Sequence, residues 1–259
     1  MTTIDIVAAV NDDAVLTSNL KRSPILDAPD VRLVIQKQFP SAALAYRAAV
    51  RQCSGEIVVF AHQDVYLPAR WHEQLLRSVE RLNTLDPQWA VLGVYGVTEA
   101  GADVGRVWSS GLSAVFGSAF VEPVAVDSID EVVIVLRRAS GVEFDASLPG
   151  FHLYGTDLVQ TARAQGKSCY VIHAPVIHNS RPCRYLGKDY FEAYDFVAAK
   201  WFDRLPIANN VARIVGPGLP YWQLRARHLL NALRHWRQGR RVDTPSRDCV
   251  VLARQLGFE

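Results

Sequence analysis

The sequence predicts an α/β fold: three layers around a mostly parallel central sheet, followed by a C-terminal helical extension. Two observations carry this expectation. From Ile4 to Tyr95, short apolar runs alternate with amphipathic helical stretches, which implies parallel strands joined by right-handed crossovers. Within that region, Ile57, Val58, Val59 and Phe60 form a run of four apolar residues, three of them β-branched, as expected of a strand buried on both faces.

The elements follow in order. Ile4–Val10 is an apolar strand ending in the polar turn Asn11-Asp12-Asp13, and Val31–Gln36 is a second strand. Ser41 is placed to cap the Ala-rich helix 42–53, because its hydroxyl can accept an early helical N–H. Strand Ile57–Ala61 follows Gly55. Pro68 then leads into a helix over 69–84, whose Trp71, Leu75, Val79 and Leu82 recur at helical spacing. A strand over 90–95 completes the alternation. The stretch Gly101–Gly117, rich in Gly and Ser, is expected to be a loop or lid. Strands over 124–126 and 132–136 come next, then a helix over 154–165 closed by Gly166, and a strand over 169–172. An aromatic amphipathic helix spans 185–202. Pro217, Gly218 and Pro220 interrupt the chain before a last helix over 222–237. The expected division is a domain over 1–205 and a basic helical extension over 206–259.

With 259 residues, 49% of them apolar, the chain can bury a sizeable core, and its net charge of +2 gives no reason to expect a nucleic-acid partner. The first residues lack the basic and apolar regions of a secretory signal, and no apolar run approaches the roughly 18 residues of a membrane span, so the expected location is the cytoplasm. Between Arg213 and Arg241 stand seven arginines and no carboxylate, while Trp222, Ala226, Leu229, Leu230, Leu233 and Trp236 can share one stripe. Such a helix either docks on the core with a solvated basic face or contacts an anionic acceptor, a lipid surface or a partner. Cys53 and Cys169 are expected as buried thiols. Cys169, His173, His178 and Cys183 could also complete a structural zinc site, although neither cysteine has the usual short-spaced partner.

His62 and Asp64 stand one residue apart just beyond strand Ile57–Ala61. Ligands of open α/β sheets bind beyond the carboxyl ends of the strands, where a carboxylate can hold a divalent cation and the cation a diphosphate. His62-Gln63-Asp64-Val65, with its lead-in from Ala42, is followed by Phe144–Leu148, Phe151–Leu158 and Val171–Ser180. In that order these segments resemble a glycosyltransferase of the nucleotide-diphospho-sugar (GT-A) fold, family 2-like and of the streptomycin-biosynthesis type, over roughly residues 3–200.

The resemblance implies an inverting, divalent-metal-dependent (Mn²⁺ or Mg²⁺) transfer of a sugar from a nucleotide-diphospho-sugar to a saccharide or other hydroxyl acceptor. It implies Asp64 as a metal ligand, His178 as a late histidine completing metal or diphosphate binding, and Asp157 as catalytic base. His62 occupies the place of the motif's first acid. It either ligates the metal, which would suit Mn²⁺ better than Mg²⁺, or donates a hydrogen bond. Asn11, Asp13 and Gln36 are implied at the nucleotide base and ribose, and Asp127 and Asp130 at the donor sugar or acceptor. Trp108 would stack on a sugar ring or pack in the core. Thr156 stands where the family has an acid, as His62 does. These departures, with no acid near Gln36, leave a second reading open: a non-catalytic nucleotide-sugar or carbohydrate-binding domain. A nucleotidyltransferase is disfavoured because no Gly-rich phosphate loop lies near the N-terminus.

Overall fold

A computed structural model of the chain describes residues 2–181, 186–238 and 247–259, with only the backbone described over 232–238. The strands are β1 (Ile4–Ala9), β2 (Val31–Gln36), β3 (Ile57–Ala61), β4 (Val65–Tyr66), β5 (Trp89–Gly93), β6 (Tyr95–Val97), β7 (Asp103–Ser109), β8 (Ala114–Gly117), β9 (Val124–Ala125), β10 (Ser128–Ile129), β11 (Val133–Arg137), β12 (Ser168–Val171) and β13 (Val176–His178). The helices are α1 (Asp13–Ser18), α2 (Ala42–Val50), α3 (Trp71–Leu85), α4 (Tyr154–Ala164), α5 (Lys188–Lys200), α6 (Leu219–Gln238) and α7 (Cys249–Gln255).

The main sheet has the order β2-β1-β3-β11-β5-β12-β9. β1 pairs in parallel with β2 and β3, and β5 with β12, while β11 runs antiparallel between β3 and β5. β1 therefore has the strand that follows it on one side and β3 on the other. This is a topological switch point, with a crevice at its carboxyl end. A second sheet, β10-β6-β7-β13-β4, packs beside the first. In it β4 and β13 are antiparallel, with Val65 opposite His178 and Tyr66 opposite Ile177.

Local chemistry explains these elements. Every residue of β3 is buried, as its apolar run requires. Ser41 caps α2, its Oγ accepting from Leu44 N at 3.3 Å, and Ala42, Ala43, Ala45 and Ala49 are buried, so the helix can lie close on the sheet. α3 buries Trp71, Leu75, Val79 and Leu82 and leaves its charged face in water. Asp5 is buried inside β1, where it accepts Arg32 Nε at 2.6 Å and the Ser54 and Gly55 N–H groups at 2.8 and 2.7 Å.

The region 101–117 departs from the expected loop. It is the hairpin β7–β8, with Arg106 opposite Gly117 and Ser109 opposite Ala114. Its glycines permit close pairing: Gly117 has φ +74°, and a Cβ there would lie 1.9 Å from the Gly105 carbonyl oxygen. Trp108 is consequently a packing residue. It lies in a cluster with Tyr66, Ile177, Cys249, Leu252 and Phe258, and its Nε1 donates to Ser110 Oγ at 3.0 Å.

Beyond residue 205 the chain remains tied to this body. Ala208 N donates to Asp127, Asn209 to Thr156 and Asn210 to Asp130. α7 packs beneath β4 and β13, and Glu259 accepts Tyr66 OH and Ala69 N, both at 2.8 Å. Among the described residues, no helix is long and apolar enough to cross a membrane.

Candidate metal centre and nucleotide cleft

The turn after β3 presents alternate side chains in opposite directions. His62 N donates to Val132 O and Val65 N to His62 O, closing the turn. Gln63 points back to β1: its Oε1 accepts Asn11 N and Asp12 N at 3.0 and 3.1 Å, and its Nε2 donates to Asn11 Oδ1 at 2.6 Å. His62 and Asp64 face the second sheet, where the β4–β13 register brings up His178 and Asn179 N donates to Asp64 O at 2.8 Å.

His178 Nε2 lies 3.4 Å from Asp64 Oδ1, and His62 Nδ1 lies 4.0 Å from the same oxygen. One ligand atom from each residue falls within 4.8 Å of the others. Two imidazoles and one carboxylate form a mixed N/O donor set that suits Mn²⁺ better than Mg²⁺. The outer shell supports it: His62 Nε2 is 2.8 Å from Tyr154 OH, which donates to the Glu131 carbonyl at 3.3 Å. With Nε2 carrying the proton, Nδ1 is free to ligate.

Burial and the Asp64–His178 contact set the charges of this cluster. Burial pushes the Asp64 carboxyl up, but the hydrogen bond and charge of His178, with the charge of His62, outweigh it and hold it at about 2. Burial lowers His62. Burial also opposes charge on His178, yet the bond to Asp64 leaves it raised. Asp64 is thus kept ionised, as a cation ligand must be.

A cleft of about 670 Å³ opens beside this cluster at the switch point, lined by residues following β1, β2 and β3 together with Phe151 and Tyr154. Asn11, Asp13, Gln36, His62 and Asp64 all line it. Lys37, which carried no expectation, lines it too, its Nζ 2.7 Å from Asp13 Oδ1. Gln38 and Leu153, at φ 64° and 60°, hold left-handed backbone conformations next to lining residues. Strain of this kind in non-glycine residues clusters at functional sites.

Two expected site residues lie away from the cleft. Asp157 is not brought to the cleft. It is 1% exposed, with Lys200 Nζ 2.8 Å and Trp201 Nε1 2.8 Å from its Oδ1, so it ties α4 to the end of α5. Asp127 is also internal, accepting Gln160, Arg163 and Ala208 N. Of the suggested zinc set, Cys183 lies outside the described residues, Cys169 is buried with its Sγ toward Val159 O, and His178 belongs to the cluster with Asp64.

Asp130 and Glu131 lie beside the site because β11 is antiparallel: Val133 pairs with Ala61, so the start of β11 meets the end of β3. Asp130 is held by Val132 N and by Asn210 Nδ2, at 3.0 and 2.5 Å. Glu131, absent from the sequence expectations, meets the first turn of α4. Its Oε1 is sealed from solvent and has no hydrogen-bond partner among the described residues. Burial and the Asp130 charge push its carboxyl up to about 8, against the backbone N–H groups of Gly155 and Leu153.

Sheet order, switch-point cleft and the layered α/β arrangement match the GT-A-like fold. The structure of S. aureus TarS superposes with a TM-score of 0.51 at 12% identity, over 78% of this chain and 40% of that one. The mannosyltransferase PcManGT from Pyrobaculum calidifontis, in complex with GDP-Man and Mn²⁺, gives 0.46 at 13% identity over 99% and 87% of the two chains. In sequence, the chain is 31% identical over 140 residues to "ATP synthase subunits region ORF 6" of Fuscovulum blasticum. That match covers 52% of this chain and 56% of the relative's length. No family profile matches the chain.

Proposed function

We propose that this chain is a divalent-cation-dependent, inverting glycosyltransferase that moves a sugar from a nucleotide-diphospho-sugar to a hydroxyl acceptor. The observation that carries the reading is the convergence of His62, Asp64 and His178 at the edge of the switch-point cleft. The family 2-like, streptomycin-biosynthesis-type pattern in the sequence supports the same reading.

His62, Asp64 and His178 would hold the cation, with Mn²⁺ the better match. When bound, it would supply the Lewis-acid charge that neutralises a departing diphosphate. Asn11, Asp13, Gln36 and Lys37 would receive the nucleoside, and Asp130 would face the donor sugar. Glu131, only part-buried just before β11 and beside the cluster, would serve as the base. As the acceptor oxygen bonds to the anomeric carbon, the bond from that carbon to the diphosphate breaks, the electron pair leaves with the diphosphate, and the acceptor proton passes to Glu131.

A second reading, a binding domain that keeps the cleft without turnover, is favoured by one observation: the enclosure of Asp157 by Lys200 and Trp201. Incubation with UDP- and GDP-sugars, Mn²⁺ and candidate hydroxyl acceptors separates the two. Acceptor-dependent release of nucleoside diphosphate, with the product of opposite anomeric configuration by NMR, supports transfer. Donor binding without release across the panel supports the binding domain.

A further inference from the structure

Among the described residues, one side of α6 is held to the body and another is exposed. Tyr221, Leu224, Arg225 and His228 form the docked side. Tyr221 OH donates to Asp195 at 2.6 Å, Arg225 lies 4.9 Å over the Phe191 ring, and the His228 and Phe191 rings are 5.9 Å apart. Leu219, Trp222, Leu229 and Leu230 are 70%, 61%, 63% and 55% exposed. At about 3.6 residues per turn these four and Ala226 form one stripe, well around the axis from the docked side. Arg227, also exposed, follows Ala226 at its margin.

The sequence of this segment has one sign of charge, with seven arginines and no carboxylate from Arg213 to Arg241; of these, Arg225 is engaged on the docked side and Arg227 lies at the margin of the stripe. A nucleic acid would take the arginines but leave the leucines in water. A second copy of the chain would set arginines against arginines, which disfavours self-pairing. An anionic bilayer offers negative headgroups and an apolar layer in one surface, complementing both features together.

We infer that α6 is an interfacial helix that seats the protein on an anionic lipid surface through Leu219, Trp222, Leu229 and Leu230, with Arg227 on the headgroups. The inference stands apart from the sugar-transfer reading, since it rests on a different face and needs no turnover.

The full chain is sedimented with vesicles of phosphatidylcholine alone and of phosphatidylcholine with phosphatidylglycerol, and tryptophan emission is recorded with each. The expected result is binding to the anionic vesicles, weak or absent on the neutral ones, with a blue shift that Trp222→Phe diminishes. Leu229→Glu with Leu230→Glu should reduce partitioning by about tenfold or more, while circular dichroism stays native because both positions are exposed. Arg227→Glu should weaken binding to the anionic vesicles and make it less sensitive to salt, because less of what remains is electrostatic. Three results would overturn the inference: no binding to either vesicle; binding that the double leucine variant leaves unchanged, which would reduce it to charge alone; or self-association, lost in that variant, without vesicle binding.

Discussion

His178 stands opposite Val65 in the β13–β4 ladder, which sets its Nε2 3.4 Å from Asp64 Oδ1 although 114 positions separate the two residues (178 − 64). The candidate metal centre therefore depends on a strand pairing between distant segments as much as on the turn that carries His62 and Asp64. Asp64→Ala and His178→Ala should each reduce Mn²⁺-dependent binding of a nucleoside diphosphate by about 10- to 100-fold or more. Titration calorimetry checks this, and circular dichroism should show the fold retained.

Glu131→Gln should lower kcat for transfer by about 10²- to 10⁴-fold while leaving donor affinity nearly unchanged, as expected of a group acting on the acceptor's proton. Single-turnover assays at saturating donor separate the two effects. A loss confined to donor binding would instead make Glu131 part of the donor site.

Asp157→Asn has the opposite expected signature. The side chain can still accept from Trp201, and Lys200 keeps Asp145 at 2.8 Å, so the cost should be about 1–3 kcal/mol of stability. Below the shifted unfolding transition, kcat should stay near that of the unaltered protein. Urea unfolding beside steady-state rates distinguishes this from a catalytic role.

Asp5 links stability to pH. Burial raises its carboxyl, but the Arg32 hydrogen bond and charge and the Gly55 and Ser54 N–H groups outweigh it, so the folded value lies below the ordinary one. Its stabilisation is therefore fully present above the unfolded value of about 3.9 and is lost as pH falls through the lower folded value. Asp5→Asn should lower stability at neutral pH and flatten the acid limb of a stability–pH curve from urea unfolding.

Much of the sheet and half of the site are legible from local pattern. The β-branched run before His62 marks β3, the Ala-rich stretch after Ser41 marks α2, and the polar ends of three consecutive strands point to the cleft. Non-local pairing is what the pattern hides. Strand periodicity is the same whichever way a strand runs, so nothing in Val133–Arg137 shows that β11 is antiparallel and delivers Glu131 to the site. The Gly and Ser content of 101–117 suggests a loop, yet Gly105 and Gly117 serve the close pairing of a hairpin. Asp157 follows Thr156 at a helix start, where a carboxylate has a local reason to sit. Only the packing of Lys200 and Trp201 from α5 shows that it faces inward.

The central claim, that His62, Asp64 and His178 hold a cation that in turn holds a nucleoside diphosphate, is tested most directly by calorimetric titration of UDP and GDP with and without Mn²⁺, on the unaltered protein and on Asp64→Ala. The account predicts binding of one nucleotide that requires Mn²⁺ and disappears in Asp64→Ala. Binding of equal strength without the metal, or unchanged in the variant, would contradict it, as would no binding of either nucleotide to the folded protein.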